Sequence, residues 1–318
     1  MGVMARKQLP LFPSQPQTPE EITRKTPIGA TLTLFQQYLH KEGKSEHTLK
    51  AFMGDMELLL ERTGMATPVG LYTTTNLNEF LHWMEFKRGV PCSRKTYARR
   101  VTTLKVFFKW MRSLEAIPHD PAKAVLQRSG PAPLNEALNP MQIEACIRVA
   151  RTMKRNEERD YRPELIFQLL LQTGIKKSET ERLKDEDFDR SNPHFPTLLV
   201  KHEVKDMYKE RRIGLEPSLM ALMDIYREQY RPPKTLFTCT MRNLEYILTD
   251  IGVAANVPFK LSFEVMRWTS AVHDWRLGVA EDSIREKLGL SRISWYETSA
   301  KIRRLVEHQI EEESAAAE

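Results

Sequence analysis

No apolar run in the sequence approaches the roughly 18 residues needed to cross a bilayer, so no membrane span and no membrane partner are expected. The opening MGVMARKQLP lacks the apolar stretch of a secretory signal, and no Ser or Thr follows Gly2 at the spacing of a myristoylation site. Cysteine is scarce: Cys92, Cys146 and Cys239 lie far apart and match no metal-ligand spacing. A reduced, cytoplasmic protein with buried thiols and no metal site follows, nucleoid-associated if the source is prokaryotic. His194, His202 and His273 are scattered and are read as structural or exposed. No internal repeat is visible, which excludes a solenoid.

What is present is a 318-residue chain with 41% hydrophobic and 28% charged residues, enough to bury the cores of two domains. The formal net charge of +6 is modest, but its distribution is not even. From Lys87 to Arg112 there are nine Lys or Arg and no acidic residue, the pattern of a surface that meets a polyanion.

Residues 1–26 contain LPLFPSQPQTPEE and read as a loose, proline-rich tail. Helical periodicity starts at Thr31, where Leu32, Phe35 and Leu39 share a face that Gly43 can end. Ser45 is placed to cap a second helix with Leu49, Phe52, Met56 and Leu59 as its stripe. A third helix fits NLNEFLHWMEFKRG, and a fourth fits SRKTYARRVTTLKVFFKWMRSLEA. In the fourth, Tyr97, Val101, Leu104, Phe108 and Met111 fall on one side. Lys95, Arg99, Lys105, Lys109 and Arg112 fall on the other, with Arg94 at the start and Arg100 at the apolar edge. Such a face suits contact with a phosphate backbone. These helices make one domain over 27–117, and the prolines at 118, 121, 131 and 133 mark a linker over 118–136. A second, mainly helical domain over 137–305 opens at Asn139-Pro140 and includes a small β-hairpin in PTLLVKHEVKDMYKERRIGLE. HQIEEESAAAE reads as a solvated acidic tail over 306–318.

The order of these elements, from about residue 28 to 305, resembles the tyrosine recombinase (phage integrase) family. The N-terminal half carries Phe-x-x-Tyr-Leu, Gly-Lys-Ser-x-x-Thr-Leu, Ser-x-x-Thr-Tyr before the basic helix, and Ile-Pro-x-x-Pro-Ala. The C-terminal half is sharper. LLLQTGIKKSETERLKDEDFD is similar to the family's first motif, VKDMYKERRIGL to its lysine hairpin, FEVMRWTSA to His-x-x-Arg, and KLGLSRISWYETS to the segment leading to the nucleophilic tyrosine. The resemblance implies a SAM-like helical core-binding domain and a catalytic-type domain that clamp duplex DNA. It also implies phosphotyrosine chemistry without a cofactor, and head-to-tail homo-oligomers in which a C-terminal helix reaches a neighbour.

Two arginines suit such chemistry because each guanidinium offers a rigid fork of donors to the non-bridging oxygens. A lysine can protonate the leaving oxygen, and a histidine can move the nucleophile's proton. Carried over residue by residue, the first arginine's place is held by Lys176, with Glu179 as its orienting carboxylate. The hairpin lysine falls at Lys205, with Lys201 and Lys209 as alternatives, and Arg267 matches the second arginine. Glu264 replaces the histidine, with Lys176 as its expected partner, and Leu290 stands where His or Trp is usual. The family's pattern puts the nucleophile at Ser299, whereas the nearby tyrosine is Tyr296. Three residues are close to one helical turn, so a shifted helix would present Tyr296; otherwise it is expected to pack beside Trp295.

These departures together point to a DNA-binding protein of this fold, architectural or regulatory, in which strand cleavage is weak or lost. An active recombinase using Tyr296, and a helical interaction protein with a non-DNA partner, are the alternatives.

Overall fold

The computed structural model describes residues 16–90, 92–127, 134–202 and 209–317. The described residues fall into two compact units, each with its own core.

The N-terminal unit is built on four helices: α1 (Ile28–Lys41), α2 (Glu46–Thr63), α3 (Thr74–Phe86) and α4 (Arg94–Ser113). Local chemistry sets their starts. The Ser45 and Ser93 hydroxyls accept from the Thr48 and Thr96 amides, and Thr73 and Asn76 cap α3 reciprocally. The helices then bury Phe35, Met56, Leu59, Leu77, Phe107 and Phe108, with the Phe35 and Phe107 rings edge to face at 5.0 Å. Ile22, from the expected tail, lies in this core, as do Ala122 and Val125 from the expected linker. Each brings apolar surface that would otherwise stay wet.

In the C-terminal unit α5 (Pro140–Thr152) leads into a hairpin of β1 (Lys154–Arg155) and β2 (Glu158–Arg159), which hydropathy alone did not reveal. Its turn places Asn156 and Glu157 at positive φ. Then follow α6 (Tyr161–Thr173), α7 (Lys177–Thr180) and an antiparallel sheet of β3 (Phe188–Asp189), β4 (Thr197–Val200) and β5 (Arg211–Gly214). The chain ends with α8 (Pro217–Tyr230), α9 (Met241–Ala254), α10 (Phe263–Arg276), α11 (Glu281–Lys287) and α12 (Arg292–Ala317).

Helix α6 is the hub of this unit. Leu165, Ile166, Phe167, Leu169 and Leu170 are all buried, each contributing about 1.5–3 kcal/mol against exposure. Apolar on nearly every side, α6 packs against α5, α8, α9 and α10 and carries its C-terminal Thr-Gly to a fixed point.

Residues 306–318, read from sequence as a tail, are helical through Ala317 as part of α12. Trp295, Ile302, Leu305 and Val306 of this helix pack on Val272, Ile284 and Leu288 of their own unit. Gln309 donates to the Ala137 carbonyl at 3.2 Å, and Arg276 grips Glu313 with both terminal nitrogens at 2.9 and 2.7 Å. The glutamates of HQIEEE suggested solvent, but one of them has a guanidinium partner 37 positions upstream.

The thiols differ from expectation in degree. Cys146 is buried, while Cys92 and Cys239 are only partly covered. Among the described residues no helix is long and apolar enough to cross a membrane.

Candidate phosphate-binding site

Helix α6 ends at Gly174, which adopts the left-handed conformation at φ 56°. A Cβ there would lie 3.1 Å from both Ser270 Oγ and Leu288 Cδ2, so close packing as well as the turn requires glycine. The Gly174 carbonyl accepts from Arg267 Nη1 at 2.5 Å, and Arg267 Nη2 donates to the Leu288 carbonyl. One guanidinium on α10 therefore joins the ends of α6 and α11. Burial lowers its pKa to about 10, with Glu179 opposing, so it stays cationic at neutral pH.

Lys176 is the residue before α7, and its backbone amide donates to Glu179 Oε2 at 2.8 Å. Although the residue as a whole is exposed, desolvation of the ammonium end lowers its pKa first, followed by the charge of Arg267; Glu179 pulls the other way. Glu179 is buried, which alone would raise its pKa. Paired hydrogen bonds from Arg211 and the Lys176 amide outweigh that and hold it below the ordinary glutamate value.

Arg211 was not singled out from sequence. It is 8% exposed and donates from Nη1 and Nη2 to the two Glu179 oxygens, both at 3.0 Å. The signal was available in Arg-Arg-Ile-Gly: strand alternation with Ile213 inward turns Arg211 inward too. Lys287 was also unforeseen. Its ammonium donates to Asp274 at 2.6 Å, Ser270 Oγ at 2.7 Å and the Gln172 carbonyl at 3.1 Å, bracing α11 against α6 and α10.

The other expected positions divide. Lys205 lies outside the described residues. Lys201 faces acid, with Asp187 at 2.7 Å and Glu186 at 3.3 Å. Lys177 pairs with Glu245 at 2.9 Å. Glu264 does not pair with Lys176. It is exposed in the first turn of α10, where a carboxylate suits the helix dipole, and accepts a long bond from Asn135 Nδ2 at 3.5 Å. Leu290 packs against the α12 cluster.

Tyr296 does not pack beside Trp295 either. Neighbours on a helix point about 100° apart, so when Trp295 takes the inner face Tyr296 is turned out, at 84% exposure.

On α4 the two-faced pattern holds, with one correction. Arg99 is not a free surface charge: its Nη2 lies 2.9 Å from Asp55 Oδ1, and its Nη1 donates to the Ala51 carbonyl at 3.2 Å. Asp55 is 4% exposed and also meets Arg100 Nε at 3.5 Å and the Thr103 hydroxyl at 2.9 Å. Lys95, Lys105, Lys109 and Arg112 form no ion pair among the described residues, and Arg94 is exposed at the helix start.

Glu179 makes a testable contribution to acid stability. Its folded pKa lies below its unfolded value, so the stabilisation is complete above the ordinary glutamate range and is lost as pH falls through the depressed value. Urea midpoints followed from about pH 6 to about pH 3 should fall more steeply for the wild type than for Glu179→Gln. Parallel curves would show that the carboxylate carries no linkage.

A family model described as the phage integrase N-terminal SAM-like domain matches residues 32–114. The tyrosine recombinase XerC of Mycobacterium sp. (strain KMS) is 28% identical over 166 residues, covering 52% of this chain and 55% of that protein. The chain thus spans about half the length of the XerC relatives it matches. The tyrosine recombinase XerD of Listeria innocua serovar 6a is 23% identical over 279 residues, covering 82% of this chain and 91% of that protein. Among solved structures, the XerH site-specific recombinase bound to palindromic difH substrate aligns with TM-score 0.69 at 18% identity, over 90% of this chain and 84% of that one. A lambda integrase dimer bound to a COC′ core site gives 0.67 at 13%, over 86% and 77%. The fold is therefore a SAM-like helical domain followed by a recombinase catalytic-type domain. These matches support the tyrosine recombinase (phage integrase) family as the one this chain resembles.

Proposed function

We propose that this protein binds duplex DNA through the α4 basic face and the Lys176–Arg267 pocket, in an architectural or regulatory role, with strand cleavage weak or lost. One observation carries the reading. The site keeps two cations beside a carboxylate neutralised by Arg211, whereas the positions that would move protons hold Glu264 and Leu290. A phosphate can be held there by charge and donors, but leucine can neither give nor take a proton. Homologues named recombinases, and structural neighbours solved on DNA, support DNA as the partner. An oligomer built through α12 would exchange the Arg276–Glu313 and Gln309–Ala137 contacts for the same contacts between copies.

The second reading, an active recombinase using Tyr296, is favoured by that tyrosine's exposure and by a hydroxyl with no hydrogen-bond partner among the described residues. A nicked or phosphorothiolate suicide substrate separates the two. The first reading expects no covalent protein–DNA adduct beyond background. An adduct that forms with the wild type and disappears in Tyr296→Phe would replace it with the second. A chain that binds no duplex at moderate salt would overturn both and leave a helical interaction protein.

A further inference from the structure

We propose that Arg211 is the positioning residue of this site: it neutralises Glu179 and locks strand β5 to the segments that carry Lys176 and receive Arg267. Its consequence for DNA rests on the phosphate-binding reading above; its consequence for Lys176 rests on the hydrogen bonds around Glu179 and the charges beside the Lys176 ammonium.

A guanidinium has five N–H donors in a planar fork. Arg211 directs four of them at acceptors from three chain segments. Nη1 and Nη2 serve the two oxygens of Glu179 in α7, both at 3.0 Å. Nη1 also donates to the Lys209 carbonyl at 2.9 Å, and Nε to the Lys287 carbonyl at 2.6 Å. The residue after Lys287 is Leu288, whose carbonyl holds Arg267, so Arg211 and Arg267 are hung from adjacent peptide units. Space has been cleared for the group: a Cβ on Gly289 would stand 3.0 Å from Arg211 Nη1.

Glu179 also accepts from the Lys176 amide, which fixes where the Lys176 side chain starts. Without Arg211, the same buried carboxylate would face Lys176 uncompensated. The lysine would become its counter-ion, and the net charge of Lys176, Arg267, Arg211 and Glu179 would fall from +2 to +1. A lysine at position 211 keeps the charge but cannot serve both carboxylate oxygens and two carbonyls at once. The alternative is a plain brace for the hairpin, which would leave the charge state of Lys176 untouched.

The full-length wild type, Arg211→Met, Glu179→Gln and the double variant would be compared by two measurements. The first is the titration of Lys176, read by carbon NMR of isotopically methylated lysines and assigned from Lys176→Arg. The second is affinity for a short duplex as a function of salt. The Lys176 midpoint is expected to rise in Arg211→Met relative to the wild type, and in the double variant relative to Glu179→Gln. The second pair keeps the test available if a lone buried Glu179 prevents Arg211→Met from folding. Duplex affinity is expected to fall about tenfold in Arg211→Met and to return to within about threefold of wild type in the double variant. A Lys176 midpoint unmoved in both pairs overturns the proposal, whatever the DNA result. If the wild type binds no duplex, the DNA-binding reading falls while the titration still decides the role of Arg211.

Discussion

Asp55→Ala is expected to destabilise the N-terminal unit by about 3–5 kcal/mol, because it leaves a buried guanidinium without its counter-charge. Arg100 is 8% exposed, and its other polar contact among the described residues is Nη1 to the Cys92 sulfur at 2.9 Å. Thr103, also buried, would keep only the Arg99 carbonyl as acceptor for its hydroxyl, and Arg99 only its bond to the Ala51 carbonyl. For a domain of this size the loss corresponds to a fall of more than about 10 °C in its thermal midpoint. The double variant Asp55→Ala/Arg100→Met, which replaces the pair by apolar volume, should recover much of that loss. Calorimetry of the full chain would resolve the outcome. A shift of only about 1 °C in Asp55→Ala would mean that Arg100 reaches water and that the cluster is not structural.

Neutralising Lys95, Lys105, Lys109 and Arg112 to Gln is expected to collapse the salt dependence of duplex binding. Each phosphate contact removed flattens the slope of log affinity against log salt by about 0.9. Four such contacts account for a loss on the order of a hundredfold between about 50 and 200 mM salt, and the variant should lack that component. Arg99 is left out because its charge is engaged by Asp55, so replacing it would mix a folding defect with a binding one. The four chosen side chains make no ion pair among the described residues, and the fold should tolerate their loss. Unchanged affinity and slope would mean that DNA, if bound, lies elsewhere on the molecule.

Helix starts and buried faces were legible because they rest on local chemistry. Ser45, Ser93 and Asn139 cap within three residues of themselves, and the α4 stripe repeats at helical spacing. Motif spacing singled out Lys176 and Arg267, and the structure puts their charges near one another. Long-range pairing was not legible. Arg211 finds Glu179 across 32 positions, Arg99 finds Asp55 in another helix, and Glu313 finds Arg276 37 positions away. Tyr296 failed for a different reason: the phase of a helix is set by the side chain that wins the inner face, and Trp295 won it.

That phase gears the two ends of α12 together. Rotating the rigid helix by one residue to bring Tyr296 inward would carry Trp295 out of its pocket, at a cost of roughly 4–6 kcal/mol for the ring. The same rotation would drag Gln309 off the Ala137 carbonyl and Glu313 off Arg276 at the far end. Turning α12 about its axis and releasing its C-terminal contacts are therefore one event, so the exposed face that carries Tyr296 is held in place from both ends of the helix.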